Sequence, residues 1–131
     1  MVSFGQNTCA SPTIVGALPY NLSSTTNGTG DNYDDNDACS SDYMTGNDYV
    51  FEYTPSTAEM LQIDLTGTDW WTGVFIMDGC PDAGGTSCIS STSWNGDPSM
   101  LTPTLTAGTT YYIVVSTWAN PQWTDFTIDI D

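Results

Sequence analysis

The sequence predicts an all-β chain, an antiparallel β-sandwich of jelly-roll type with eight or nine short strands and two disulfides. Three observations predict it. Short alternating or apolar runs recur along the chain, Gly, Pro, Asn and Ser punctuate them, and no stretch carries the period of a helix.

Residues 11–18 (SPTIVGAL) read as a short strand, and residues 19–26 as a second, more polar one. Residues 48–54 alternate, which puts Tyr49, Phe51 and Tyr53 on one face and Asp48, Val50 and Glu52 on the other. Pro55 stops that strand. Residues 59–65 repeat the pattern with Leu61, Ile63 and Leu65 inward, and Thr66-Gly67 turns the chain. Residues 72–78 are nearly continuously apolar, as in a strand that is buried on both faces or central in its sheet. A loop over residues 79–88 leads to a brief strand at Ile89-Ser90. Residues 100–105 predict a further strand, which Pro103 confines to an edge or a bulge because it cannot donate to the ladder. Residues 109–117 form the longest β-branched and aromatic run and are expected to be the central strand. Residues 125–130 alternate, with Phe126, Ile128 and Ile130 facing the core. A chain of 131 residues fits one module, residues 1–131, and a domain of this size buries about two thirds of its unfolded surface. The opening MVSFG has neither a basic nor an apolar signal region, so the module is expected to be excised from a larger secreted protein.

Charge narrows the function. The chain has sixteen acidic residues and no Lys, Arg or His, giving a formal charge of -16. Nucleic acid is excluded as a partner, because its phosphates need basic side chains to displace counterions. No apolar run is long enough to predict membrane insertion. Six of the carboxylates, Asp31, Asp34, Asp35, Asp37, Asp42 and Asp48, crowd into residues 27–48. Such a segment is either a solvated acidic loop or a site for Ca²⁺, which takes six to eight oxygen ligands. The predicted ligand set is Asn27, Asp31, Asp34, Asp35, Asp37 and Asp48, although the EF-hand order of residues is missing.

Cys9, Cys39, Cys80 and Cys88 allow three pairings. Spacing favours Cys9 with Cys39 and Cys80 with Cys88, since short loops close most readily. A four-thiolate zinc site is the competing reading, but its close C-x₂₋₄-C pairs are absent. Disulfides imply an oxidising compartment, secreted or at the cell surface.

Without His, Lys or Arg the chain has no His-based nucleophile site, no Schiff-base lysine and no cationic clamp, so the sequence predicts no enzyme. The tryptophans are the stronger signal. Trp70, Trp71, Trp94, Trp118 and Trp123 fall in predicted loops or at strand ends, beside Asp69, Asn120 and Gln122. Exposed rings flanked by such groups equip a carbohydrate or peptide platform, whereas shielded rings would cap the sandwich core. Of Trp70 and Trp71, alternation allows at most one to face inward.

Four passages carry a family resemblance: QNTCASPTIVG, GNDYVFEYTP, LQIDLTGTDWWTGVFIMDGCPDAGGTSC, and LTAGTTYYIVVSTW with the final FTIDI. Their order resembles the bacterial pre-peptidase C-terminal domain and the collagen-binding-domain-like sandwiches of secreted proteins, in a cysteine-containing variant of Bacteroidota type. The resemblance implies an all-β module attached to extracellular proteins, Ca²⁺-dependent in its collagen-binding branch. Of the predicted ligands it extends to Asp31, Asp34, Asp35, Asp37 and Asp48. The leading expectation is therefore a non-catalytic, Ca²⁺-stabilised spacer, adhesive or assembly module beside neighbouring domains. A carbohydrate- or peptide-binding module using the tryptophans is the second, and self-assembly through a sheet edge is also compatible.

Overall fold

The computed structural model describes residues 8–131; the opening MVSFG, and Gln6 and Asn7 of the first resemblance passage, lie outside them. Strands stand where the apolar and β-branched runs do: β1 (Thr13–Ile14), β2 (Tyr20–Thr25), β3 (Tyr49–Tyr53), β4 (Gln62–Thr66), β5 (Thr72–Met77), β6 (Cys88–Trp94), β7 (Ser99–Leu101), β8 (Tyr111–Thr117) and β9 (Asp125–Ile130). They form two sheets, ordered β1-β3-β8-β5-β6 and β2-β9-β4-β7. The β8 run is central, as its composition predicts, and the strand that Pro103 follows lies at an edge. The brief strand expected at Ile89-Ser90 is longer, because Cys88 and residues 90–94 pair with β5 on either side of a register shift at Ile89.

The four-stranded sheet alternates in the ordinary way. Ile63, Leu65, Met100, Phe126, Ile128 and Ile130 face inward and meet Tyr49, Phe51, Tyr53, Val74, Ile76, Ile113 and Val115 from the other sheet. Burying each large side chain contributes roughly 1.5–3 kcal/mol relative to leaving it in water. Its outer face is polar: Asn21 donates to Asp129 at 2.6 Å, and Ser23 and Thr127 share a hydrogen bond.

The five-stranded sheet behaves differently. All six residues of β5 are buried, and the outward side chains of Val50, Phe75, Met77 and Val114 form a second, smaller core with Tyr33 and Met44. Segment 27–48 therefore covers an apolar sheet face. The expectation that Asp48, Val50 and Glu52 share an outer face holds for direction, but Val50 and Asp48 are wholly buried beneath this cover.

The cysteines hold the cover in place, and their pairing corrects the one that spacing favours. Cys9 bonds Cys80 and Cys39 bonds Cys88, across 71 and 49 residues. Loop-closure entropy favours the nearest partners in an unfolded chain, but sheet pairing decides who meets in the folded one. Cys88 opens β6 opposite Met77, and Cys80 lies just beyond β5, so both sit where segment 27–48 folds over the hairpin. Ala38 N–H donates to Pro81 O at 2.9 Å, and the Tyr33 hydroxyl lies 3.3 Å from both Cys9 Sγ and Cys80 Sγ. On the chain-entropy model each closure contributes about 4 kcal/mol, more than the local pairing would.

Peptide mapping checks the pairing directly. Because the chain has no Lys or Arg, digestion at acidic residues is needed, and mass spectrometry is expected to find Cys9 joined to Cys80 and Cys39 to Cys88. A Cys80–Cys88 peptide would contradict the fold. Reduction is expected to lower the melting midpoint by more than about 10 °C.

Candidate functional site

The register gathers the tryptophans at one end of the sandwich. Thr72, the first residue of β5, pairs with Trp94 at the end of β6 and with Thr117 at the end of β8. Trp71 and Trp118 flank that row and are joined by a backbone bond from Trp118 N to Trp71 O at 3.1 Å. Asp69 N–H donates at 2.7 Å to Thr124 Oγ1, next to Trp123. All five rings lie at this end with 38–70% of their surface exposed. Both Trp70 and Trp71 face solvent, because they stand in the loop before β5, where strand alternation does not yet apply.

Three rings form a contiguous surface. The Trp71 and Trp118 centroids are 5.8 Å apart, and Tyr43 lies 6.3 Å from Trp71 and 5.9 Å edge-on to Trp118. Tyr43 is absent from the predicted site because it lies within the acidic segment, far away in sequence. It rides on a 3₁₀ turn, Asp42–Met44, capped by the Ser41 hydroxyl, which accepts from Tyr43 N–H. Gly73 lets that turn approach the sheet, since a Cβ there would stand 2.9 Å from Tyr43 Cβ. Gly46 does the same for the next residues: a Cβ would collide with Thr117 Oγ1 and with the carbonyl oxygens of Trp118 and Gln122. Asn47 N–H donates to Gln122 O, and the Gln122 side chain returns a bond to Asn47 Oδ1. Gln122 thus braces the loop.

Beside the ring surface is a cavity of about 300 Å³ lined by Asp69, Trp70, Trp71, Asn120 and Pro121. Trp71 (φ 63°) and Gln122 (φ 78°) hold left-handed backbone, which costs an ordinary residue roughly 1–2 kcal/mol. The surrounding bonds hold both in place.

The predicted Ca²⁺ ligands do not converge. Asp31, Asp34 and Asp35 are exposed, as is Asn27, while Asp37 is half-buried and Asp48 fully buried. Asp34 Oδ1 accepts from Asn36 N–H and Asp37 Oδ2 from Asp34 N–H, so two of the carboxylates brace their own turn. Asp48 Oδ2 accepts from Asn32 and Tyr33 N–H at 2.8 and 3.0 Å. Among the described residues no three acidic or cysteine side chains stand together as a metal cage. Backbone N–H groups thus partner Asp34, Asp37 and Asp48 in a chain without cations.

Asp48 is the one carboxylate beneath the cover. Burial raises its pKa to about 7 and the Asp31 charge adds to the rise, while the N–H bonds from Tyr33 and Asn32 and a hydrogen bond from the Ser116 side chain oppose it. Among the described residues the Ser116 hydroxyl is the one side-chain group that also reaches this carboxyl.

No protein-family model and no curated protein matches the sequence. The fold does match solved structures. One is the pre-peptidase C-terminal domain of a collagenase from Bacillus anthracis, with TM-score 0.54, 12% identity, and coverage of 91% of this chain and 93% of that one. Another is Aeromonas hydrophila PliG, a periplasmic inhibitor of g-type lysozyme, with TM-score 0.54, 12% identity, and 91% and 95% coverage. The chain thus has the fold of a pre-peptidase C-terminal domain, as its motif order suggests.

Two measurements follow from the acidic segment. A folded pKa above the unfolded 3.8 means that Asp48 contributes stability fully present at low pH and lost as pH rises toward 7, so the melting midpoint is expected to be higher at pH 5 than at pH 8. Asp48→Asn is expected to shrink that difference; an unchanged pH profile would assign the effect to other groups. Separately, melting with millimolar Ca²⁺ and with a chelator is expected to give the same midpoint, and a rise of several degrees with Ca²⁺ would show that the segment closes around the ion.

Proposed function

We propose that this chain is a non-catalytic, extracellular or periplasmic adhesive module that docks its partner through the tryptophan-bearing end. The observation that carries the reading is the collection of five exposed tryptophans at one end of a sandwich whose other large apolar groups are mostly internal. Isolated exposed apolar residues are ordinary, but a contiguous ring surface bordering a cavity is characteristic of an interaction site. The absence of His, Lys and Arg from the sequence supports a non-catalytic role, as do the neighbours of like fold, which are a C-terminal domain and an inhibitor. Two disulfides support an oxidising compartment. A spacer role beside neighbouring domains accords with this, since the site occupies one end and leaves the rest of the surface to acidic, solubilising side chains.

Retention on insoluble matrices tests the reading. The domain is expected to be retained on at least one of a set of insoluble polysaccharides, collagen and gelatin. The double variant Trp70→Ala, Trp71→Gly should lose more than about tenfold of that retention, because exposed aromatic anchors dominate such contacts. Unaltered circular dichroism would show that the variant is folded. Equal retention of variant and parent, or none on any matrix, would defeat the proposal.

A further inference from the structure

The end that carries the tryptophans has a composition that selects among ligands. We propose that the surface formed by Tyr43, Trp71 and Trp118, with the cavity of Trp70, Asp69 and Asn120, binds an uncharged glycan by stacking pyranose faces on the rings and taking its hydroxyls into the cavity. This names the ligand class for the docking site proposed above and rests on that reading.

Charge comes first. The chain has sixteen acidic residues and no basic one, so uronic-acid or sulfated polysaccharides meet repulsion from every side and find no cation to pair with. A basic peptide is attracted, but not to this place. Asp69 is the one acidic residue lining the cavity, so a basic peptide finds no cluster of carboxylates inside it, and Asp42 beside Tyr43 lies outside that lining. What distinguishes this end is π surface, three rings inclined at 39°, 44° and 77° to one another, which is hydrophobic and indifferent to salt. The axial C–H groups of a pyranose make an apolar face of matching size, while its rim of hydroxyls must keep its hydrogen bonds when water is displaced. The cavity supplies partners of the right kind: the Asp69 carboxylate accepts hydroxyl protons, and the Asn120 amide both donates and accepts. Ligand sites of this sort combine aromatic walls with few polar groups.

The geometry is also fixed in advance. Trp71 is held at φ 63° and tied through its carbonyl to Trp118 N–H, and Tyr43 is set by the capped turn above Gly73. Backbone fixed before binding leaves fewer degrees of freedom to order when a ligand arrives, which lowers the entropic cost of association.

The test is titration of the full chain with hexasaccharides of glucose, N-acetylglucosamine, mannose, xylose and galactose, read by tryptophan fluorescence and isothermal calorimetry. Oligogalacturonate and a Lys/Arg-rich peptide serve as charged probes. At least one neutral hexasaccharide is expected to bind saturably, with an affinity little changed between low and high salt. Trp71→Gly, which relieves the left-handed backbone while deleting the ring, should weaken that binding more than about tenfold without lowering the melting midpoint. Asp69→Asn, which keeps an acceptor and adds a donor, should weaken it less than Trp71→Gly does. A flat response to all five sugars overturns the inference. If the Lys/Arg peptide binds instead, salt-sensitively and through the same rings, the docking reading survives and the carbohydrate inference does not.

Discussion

A sheet with two apolar faces needs two covers, and the architecture of this chain follows from that requirement. One face of the five-stranded sheet meets the four-stranded sheet, as in any sandwich. The other presents Val50, Phe75, Met77 and Val114, and no further sheet is available to shield them. The cover is segment 27–48, the most acidic stretch of the chain, which contributes Tyr33 and Met44 to the small core and turns its carboxylates outward. A segment with so few apolar groups has little hydrophobic free energy to hold it down, and the two long-range disulfides compensate by tying it and the preceding chain to the β5–β6 hairpin.

The absence of cations shapes the interior of that cover. In most proteins a buried carboxylate finds a basic partner, but here the partners are backbone N–H groups. Asp48 illustrates the compromise: it organises the backbone at Asn32 and Tyr33 through one oxygen, and burial pushes its pKa up to about 7. Asp34 and Asp37 perform the same service at the surface, where water screens their charge. Acidic density here is thus the means of folding an irregular segment as well as a source of solubility.

The same cover builds the tryptophan end. Its 3₁₀ turn delivers Tyr43 to Trp71 and Trp118, and Gly46 and Asn47 lock against Thr117 and Gln122 where β8 leaves the sheet. Two residues in left-handed backbone, Trp71 and Gln122, lie in this contact. Strain of that kind persists where neighbouring bonds over-determine the geometry, and it accumulates at sites that present side chains in fixed directions. Fold stability and site presentation are therefore linked through one segment.

Much of this was legible in the amino-acid sequence alone. Alternation at Tyr49, Phe51 and Tyr53 and at Phe126, Ile128 and Ile130 determined the inner face, the apolar run 72–78 announced a strand buried on both faces or central in its sheet, and Pro103 marked an edge or a bulge, because side-chain direction and backbone donors are local properties. The exposure of the tryptophans was half visible, in their placement at strand ends. Tertiary structure decided the rest. Which cysteines meet depends on what segment 27–48 packs against, not on loop length. Where the six acids lie is set by the fold as well: backbone N–H groups hold Asp34, Asp37 and Asp48, and among the described residues no three of the acids stand together. That Trp94, Trp71, Trp118 and Tyr43 share one surface follows from the register of Thr72 against two neighbouring strands, a long-range pairing that no window of sequence contains.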